Sequence, residues 1–318
     1  MFGFKSQTRK QGLVAVVPGG DGLAVAELQM NGARPRLQSC DFTPWDGSPE
    51  ANEKLLAKKV KQFGLAKRPV TTVMELGEYS ILSVEAPDVP PAELRAALRW
   101  QIKDLIDFHI DDAVIDVFDA PPSGATGRQN NLYVVVSRTS AVRARADRLQ
   151  DAQANLSVID VPELVLRNIA ARLPENEAGV AMIYLTRERG VVVVARQSML
   201  YFARTLELGY EFLRQGMNIG GTGPGDNPTF DRLVLEVQRS LDYYDRYFAQ
   251  PPVAGLVLVP TALPVPGLDG YLHDALGLSV RMLDLREIVD CDSSLDAHLQ
   301  AHCLAAVGAA LRQEVSTL

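Results

Sequence analysis

Two glycine-rich segments are the parts of this sequence best suited to bind phosphate, because backbone N–H groups in such turns can surround an anion. Residues 18–22 read Pro-Gly-Gly-Asp-Gly, and residues 216–228 contain five glycines. Neither segment continues into a lysine and a hydroxyl residue, so the P-loop pattern GxxxxGK[ST] does not occur in the sequence. The GxSxG turn of serine hydrolases does not occur either. The sequence therefore offers phosphate-binding turns without a complete catalytic motif.

Histidine and cysteine side chains could bind a metal, but their spacing does not favour it. His298 and His302 lie four residues apart, yet the glutamate of an HExxH motif is missing and no third ligand is evident. We interpret this pair as part of a solvated helix face. Cys40, Cys291 and Cys303 form no CxxC pair, and three widely spaced cysteines fit a reducing compartment better than a disulfide framework. We therefore expect no metal site.

The composition is that of a globular α/β protein. Apolar residues make up 47% of 318 residues, enough for the cores of two or three compact units. A net charge of −7 disfavours a basic nucleic-acid surface. Residues 1–10 contain no apolar stretch of the kind a secretory signal needs. Phe2 and Phe4 with the nearby basic residues could touch an anionic membrane surface, or the segment could be a frayed terminus.

Periodicity places these residues on an internally duplicated α/β framework. Strands are predicted at residues 13–17, 23–28, 36–42, 69–74, 81–86, 113–118, 132–137, 156–159, 180–185, 190–196, 199–205, 256–259 and 280–283. Helices are predicted at residues 50–63, 139–152, 162–173, 230–248, 268–276 and 295–312, with another starting at Pro90 and Pro91. Both halves begin with strand, turn, strand, strand and then a helix, and residues 77–159 read as a small inserted α+β module.

Four stretches carry a resemblance to a known family: residues 13–28, 90–117, 235–244 and 256–278. In them the chain resembles the PilM family of type IV pilus assembly, and most of all the MshI proteins of mannose-sensitive haemagglutinin (MSHA) pilus biogenesis. The chain departs from the family where Gln101 replaces a glutamate, and where Asp107 and His109 replace two prolines.

The resemblance covers nearly the whole chain and implies a two-lobed, actin-like (RNase H-like) ATPase fold with a small inserted module. The first lobe would contain residues 1–76, 160–178 and 292–318. The module would contain residues 77–159, and the second lobe residues 179–291.

In the resembled family ATP lies between the lobes in three glycine turns, and aspartates in two turns help to place Mg²⁺. The ion needs hard oxygen ligands, and it neutralises charge that develops on the phosphoryl group. Here Val17 stands at the first aspartate position. Gly19 remains in that turn, and Asp21 lies in it but four residues out of register.

The other two turns depart from the pattern as well. Tyr184 stands at the second aspartate position, and Thr186 replaces that turn's glycine. The run from Pro260 and Thr261 to Ala262 replaces the adenosine-side glycines. Valine and tyrosine cannot supply the carboxylates that magnesium needs. The resemblance thus predicts a pseudo-ATPase without catalytic residues and without a cofactor, for which binding of ATP and Mg²⁺ is possible but not favoured.

Two charged residues match positions that face adenosine in actin-like folds. These are Glu236 and Arg239, which the predicted helix at 230–248 places one turn apart. The alternative is that they are ordinary charges on the surface of this helix.

The resemblance also implies a partner. In the family a groove between module and first lobe captures a short N-terminal peptide of a membrane-anchored PilN-type protein. Trp100 and Phe108 are the candidate anchors here, because exposed aromatic side chains are typical peptide anchors. The alternative is that both pack in the module's core.

The implied function is that of a cytoplasmic scaffold recruited to the inner face of the inner membrane. The competing hypothesis is a nucleotide-regulated ATPase of the same fold. A sugar kinase is a third and weaker one, since it would need a catalytic aspartate in a glycine-framed turn.

Overall fold

Short strands alternate with helices along almost the whole chain. The computed structural model describes residues 14–30, 34–122, 130–217, 227–291 and 295–313. The strands there are β1 (Val14–Pro18), β2 (Gly22–Gln29), β3 (Arg36–Pro44), β4 (Val70–Val73), β5 (Tyr79–Glu85), β6 (Ala113–Asp119), β7 (Asn131–Arg138), β8 (Leu156–Asp160), β9 (Val180–Leu185), β10 (Gly190–Arg196), β11 (Met199–Leu206), β12 (Gly255–Leu258), β13 (Val280–Met282) and β14 (Asp290–Cys291). The α-helices are α1 (Pro49–Gln62), α2 (Pro91–Ile102), α3 (Thr139–Asp151), α4 (Pro162–Ala170), α5 (Tyr210–Gly216), α6 (Pro228–Phe248), α7 (Leu268–Leu276) and α8 (Ala297–Ala310).

Some sequence-based predictions fall outside the described residues. They are the membrane contact of residues 1–10 and most of the glycine-rich segment 216–228.

Two sheets repeat one strand order. The first runs β14-β3-β2-β1-β4-β8, and the second runs β11-β10-β9-β12-β13. In each, three consecutive antiparallel strands are followed by two strands parallel to the first of them, β4 and β8 beside β1, and β12 and β13 beside β9. We call the parts of the chain built on these sheets the first lobe and the second lobe. The duplication inferred from the sequence is therefore present in the topology.

The central core lies between the two sheets and contains α4 and α8. Every residue of α4 is buried. At Gly308 of α8 a Cβ atom would lie 2.9 Å from the backbone oxygen of Val165, so the two helices need glycine to approach this closely. Asn168 of α4 also donates a hydrogen bond of 3.0 Å to the backbone oxygen of Gly308. The outer faces of the sheets are covered by α1 and α3 on the first lobe and by α5, α6 and α7 on the second.

A third sheet, β5-β7-β6, forms a small module together with α2. One face of this sheet packs on α2, and the other packs towards the central core. The sequence placed the strand at 156–159 in this module, which is wrong. Strand β8 is instead the last strand of the first sheet, parallel to β4, because the backbone of residues 70–73 pairs with it.

Candidate functional site

The turn between β1 and β2 is held by its own backbone and by Trp45. Gly19 N–H donates to the oxygen of Gly22 at 2.9 Å, and the Trp45 indole N–H donates to the oxygen of Gly19 at 2.6 Å. A Cβ atom on Gly22 would lie 2.5 Å from the oxygen of Thr43, so only glycine fits beside β3. Val17 is half-buried and packs against the central core. Val17, which stands at the first aspartate position of the resembled family, thus contributes packing between the lobes.

The turn between β9 and β10 is closed by its own side chain and by a helix. The Thr186 hydroxyl donates to the oxygen of Arg189 at 2.9 Å. The N–H groups of Tyr210 and Glu211, at the start of α5, donate to the oxygens of Thr186 and Arg187 at 3.0 and 3.1 Å. These first-turn N–H groups of α5 are therefore already satisfied by the turn.

The turn after β12 is similarly self-contained. Val259 N–H donates to the oxygen of Ile183 at 2.9 Å, which extends the pairing of β12 with β9. Pro260 follows and has no N–H to donate. The Thr261 hydroxyl donates to the oxygen of Leu263 at 2.7 Å, within the same turn.

Tyr184 is the second-last residue of β9 and lies on the face that packs against the central core, as Val17 does near the end of β1. Burial, helped by the nearby carboxylates of Glu75 and Asp21, raises the pKa of Tyr184 to about 12. Burial and then Asp21 also raise the pKa of Tyr210. Asp21 in the first turn therefore lies near both of these tyrosines of the second lobe. Tyr184 is a neutral phenol at pH 7, so it offers magnesium no anionic ligand.

A buried polar cluster at the junction of β8 and α4 was not predicted from the sequence. Asp160, with a side chain 1% exposed, lies 3.0 Å from Arg312 at the end of α8. The Tyr79 hydroxyl donates to Glu163 at 2.5 Å. Burial raises the pKa of Glu163 to about 7. The available signal was two carboxylates within the apolar stretch 156–166, because buried charges in such a stretch need partners.

Glu236 and Arg239 lie on α6, the helix that covers the outer face of the second sheet. They pair with each other at 3.1 Å, and Glu236 also lies 3.7 Å from Arg204 of the edge strand β11. These contacts form an ionic network on the helix surface. The contacts described for the three turns do not include either residue.

The two candidate anchors differ in environment. Phe108 is half-buried, packs with the core between α2 and the module's sheet, and is covered by the Arg138 guanidinium at 4.3 Å. Trp100 is 71% exposed, with the Lys103 ammonium 4.3 Å from its ring. The core-packing alternative therefore describes Phe108 and not Trp100.

Among the described residues, no group of three or more histidine, cysteine and acidic side chains could hold a metal ion. In the same parts of the chain, no helix is both long enough and apolar enough to cross a membrane.

Comparison with solved structures connects the topology to a fold. A structure described as a PilM–PilN type IV pilus biogenesis complex matches with a TM-score of 0.73 and 22% identity, over 95% of this chain and 98% of that one. This match agrees with the repeated strand order of the two sheets. The chain has the actin-like ATPase fold.

Other matches are more distant. The cytoplasmic domain of EpsL, an inner membrane component of the type II secretion system of Vibrio cholerae, matches with a TM-score of 0.51 and 12% identity, over 95% of this chain and 96% of that one. No protein-family model matches the chain, and no curated protein matches it.

Within this actin-like fold, Val17 and Tyr184 occupy corresponding places, each near the end of the first strand of its sheet. The polar groups near Tyr184 include the carboxylates of Asp21 and Glu75, and Glu75 lies 3.7 Å from the guanidinium of Arg145. This arrangement can form ion pairs and hydrogen bonds between the lobes.

Proposed function

We propose that the chain is a cytoplasmic scaffold of type IV pilus biogenesis, of the MSHA kind, that binds the cytoplasmic N-terminal peptide of a PilN-like inner-membrane protein. The observation that carries the proposal is the match to the PilM–PilN complex, which covers almost the full length of both chains. The sequence resemblance to the MshI proteins supports the assignment to an MSHA-like system. Through this partner the chain would be recruited to the inner face of the inner membrane.

We infer further that the nucleotide site is degenerate and that the chain is not a working ATPase. Four side chains support this inference. Val17 and Tyr184 supply packing and a neutral phenol at the positions where the resembled family has aspartates. The hydroxyls of Thr186 and Thr261 are bonded within their own turns.

Trp100 is the proposed anchor for the partner peptide. An exposed tryptophan is uncommon on a protein surface and is enriched among residues that dominate binding energy. The Lys103 ammonium lies 4.3 Å from the centre of its ring, and Trp100 remains 71% exposed, which leaves most of the ring available to a partner. Phe108 would contribute indirectly, by fixing the end of the module on which Trp100 stands.

We expect the partner's N-terminal peptide to bind, and replacement of Trp100 with alanine to weaken that binding by at least about 2 kcal/mol, or roughly thirtyfold. Isothermal titration calorimetry with the synthetic peptide measures both. Met282→Ala is a matched control, because Met282 is a 47% exposed apolar side chain in the second lobe. Absence of binding to the unaltered protein at high micromolar peptide concentration would contradict the scaffold proposal. Equal losses of affinity in the two variants would show that Trp100 is not the anchor.

The second candidate function is a nucleotide-regulated ATPase of the same fold. The observation that favours it is Asp21, which lies in the first turn near Tyr184 and Tyr210 of the second lobe. A carboxylate in this turn could approach a metal-bound nucleotide from a shifted register. Mg²⁺-dependent stabilisation by ATP would support this alternative.

A further inference from the structure

Residues 74–78 form the linker that joins β4 to β5. Arg145 of α3 binds this linker from one side. One guanidinium nitrogen of Arg145 donates to the backbone oxygens of Val73 at 2.8 Å and Pro18 at 3.3 Å. The other donates to Glu78 at 2.8 Å and lies 3.7 Å from Glu75. The side chain is only 9% exposed. Arg145 thus joins the first turn, the end of β4 and the linker.

The second lobe binds the same linker from the other side. Arg189, in the turn between β9 and β10, donates to the backbone oxygen of Leu76 at 3.3 Å. Gly77 has a φ of +96°, and a Cβ atom there would lie 1.4 Å from a guanidinium nitrogen of Arg189. The positive φ of Gly77 favours glycine, and a Cβ atom at this position would displace the guanidinium of Arg189 from the linker.

We propose that Arg145 and Arg189 form an internal clasp that closes the two lobes on each other without any ligand. The clasp is the chain of contacts from the first turn through Arg145 and the linker to Arg189. Its guanidinium groups donate hydrogen bonds to carbonyl oxygens of the first turn, the end of β4 and the linker. Closure in this protein is then a property of the chain itself.

Hydrogen exchange on the full chain without ligand tests the clasp through effects that cross between lobes. The reporters are backbone N–H groups with bonds inside each segment: Gly19 in the first turn, Glu78 in the linker and Thr186 in the second-lobe turn. Arg145→Ala is expected to speed exchange at Thr186, and Arg189→Ala to speed exchange at Gly19, in each case by about tenfold or more. A purely local role would change exchange only in the substituted residue's own lobe.

Arg143→Ala is the matched control, because Arg143 is an exposed arginine on the same helix. It is expected to leave all three reporters unchanged. If Arg145→Ala does not fold, Gly77→Ala displaces the Arg189 side chain and is expected to produce the same change at Gly19. Changes confined to the substituted lobe, or equal changes in the Arg143 control, would overturn the clasp. The readout needs neither peptide nor nucleotide, so its failure is distinct from failure of the proposed function.

Discussion

Replacement of Arg312 with methionine is expected to lower the free energy of unfolding by about 3 to 5 kcal/mol. Methionine keeps much of the side chain's length but removes the guanidinium that lies 3.0 Å from Asp160. Asp160 is almost fully buried, so the variant must either keep a buried carboxylate that has lost its ion-pair partner or protonate it. Burial already raises the pKa of Asp160 against the opposing charge of Arg312, so loss of that charge raises it further.

Denaturant unfolding at pH 8 and at pH 5.5 measures this cost. The loss should be smaller at pH 5.5, because protonation neutralises the stranded carboxylate. The control is the double variant Asp160→Asn with Arg312→Met, which removes both charges of the pair and should recover a large part of the stability. A loss below about 1 kcal/mol at pH 8 would show that the pair behaves like an exposed ion pair, and it would contradict its burial between the lobes.

Glu163 is expected to make stability fall as the pH rises from about 5 to 8. Burial raises its folded-state pKa to about 7 from a usual value of 4.5, so in this window the folded protein holds a proton that the unfolded chain releases. The stabilising contribution is complete below pH 4.5 and is lost as the pH rises through 7. The loss amounts to as much as about 3 kcal/mol.

The variant Glu163→Gln isolates this effect, since glutamine has nearly the same shape and does not titrate. Between pH 5 and 8, the unfolding free energy of the unaltered protein should fall relative to that of this variant. Tyr79→Phe provides a second check. Its hydroxyl hydrogen bond lowers the pKa of Glu163, so its removal should move the transition to higher pH. Parallel stability curves for the unaltered protein and Glu163→Gln would contradict the assignment.

Local patterns in the sequence predicted most of the framework, because they report burial directly. The continuous apolar runs in residues 13–17 and 190–196 predict β1 and β10 to within one residue. The sequence missed α5, which has only seven residues, and β14, which has two. It also misplaced β8, because strand periodicity shows that a strand exists but not which sheet it joins.

In the candidate site, too, some residues could be identified from the sequence and others could not. Val17 and Tyr184 could be picked out because a family pattern fixes their places in the chain, and the fold puts both against the central core. Arg145 and Arg189 could not, since their roles depend on a linker that neither adjoins in sequence. Helix and strand patterns contain no record of such tertiary partners. The buried acids Asp160 and Glu163 are an intermediate case, visible as charges in an apolar stretch but without identified partners.

The most direct test of the central proposal, a scaffold that has lost its nucleotide site, is thermal and denaturant unfolding with millimolar ATP or ADP, each with Mg²⁺ and with EDTA. A ligand that binds only the folded state must raise its stability, by about 2.7 kcal/mol at a hundred times its Kd. We expect the same unfolding free energy in all four conditions as in buffer with the corresponding salt. A clear increase that requires both nucleotide and Mg²⁺ would contradict the proposal, and it would identify the chain as a nucleotide-regulated protein.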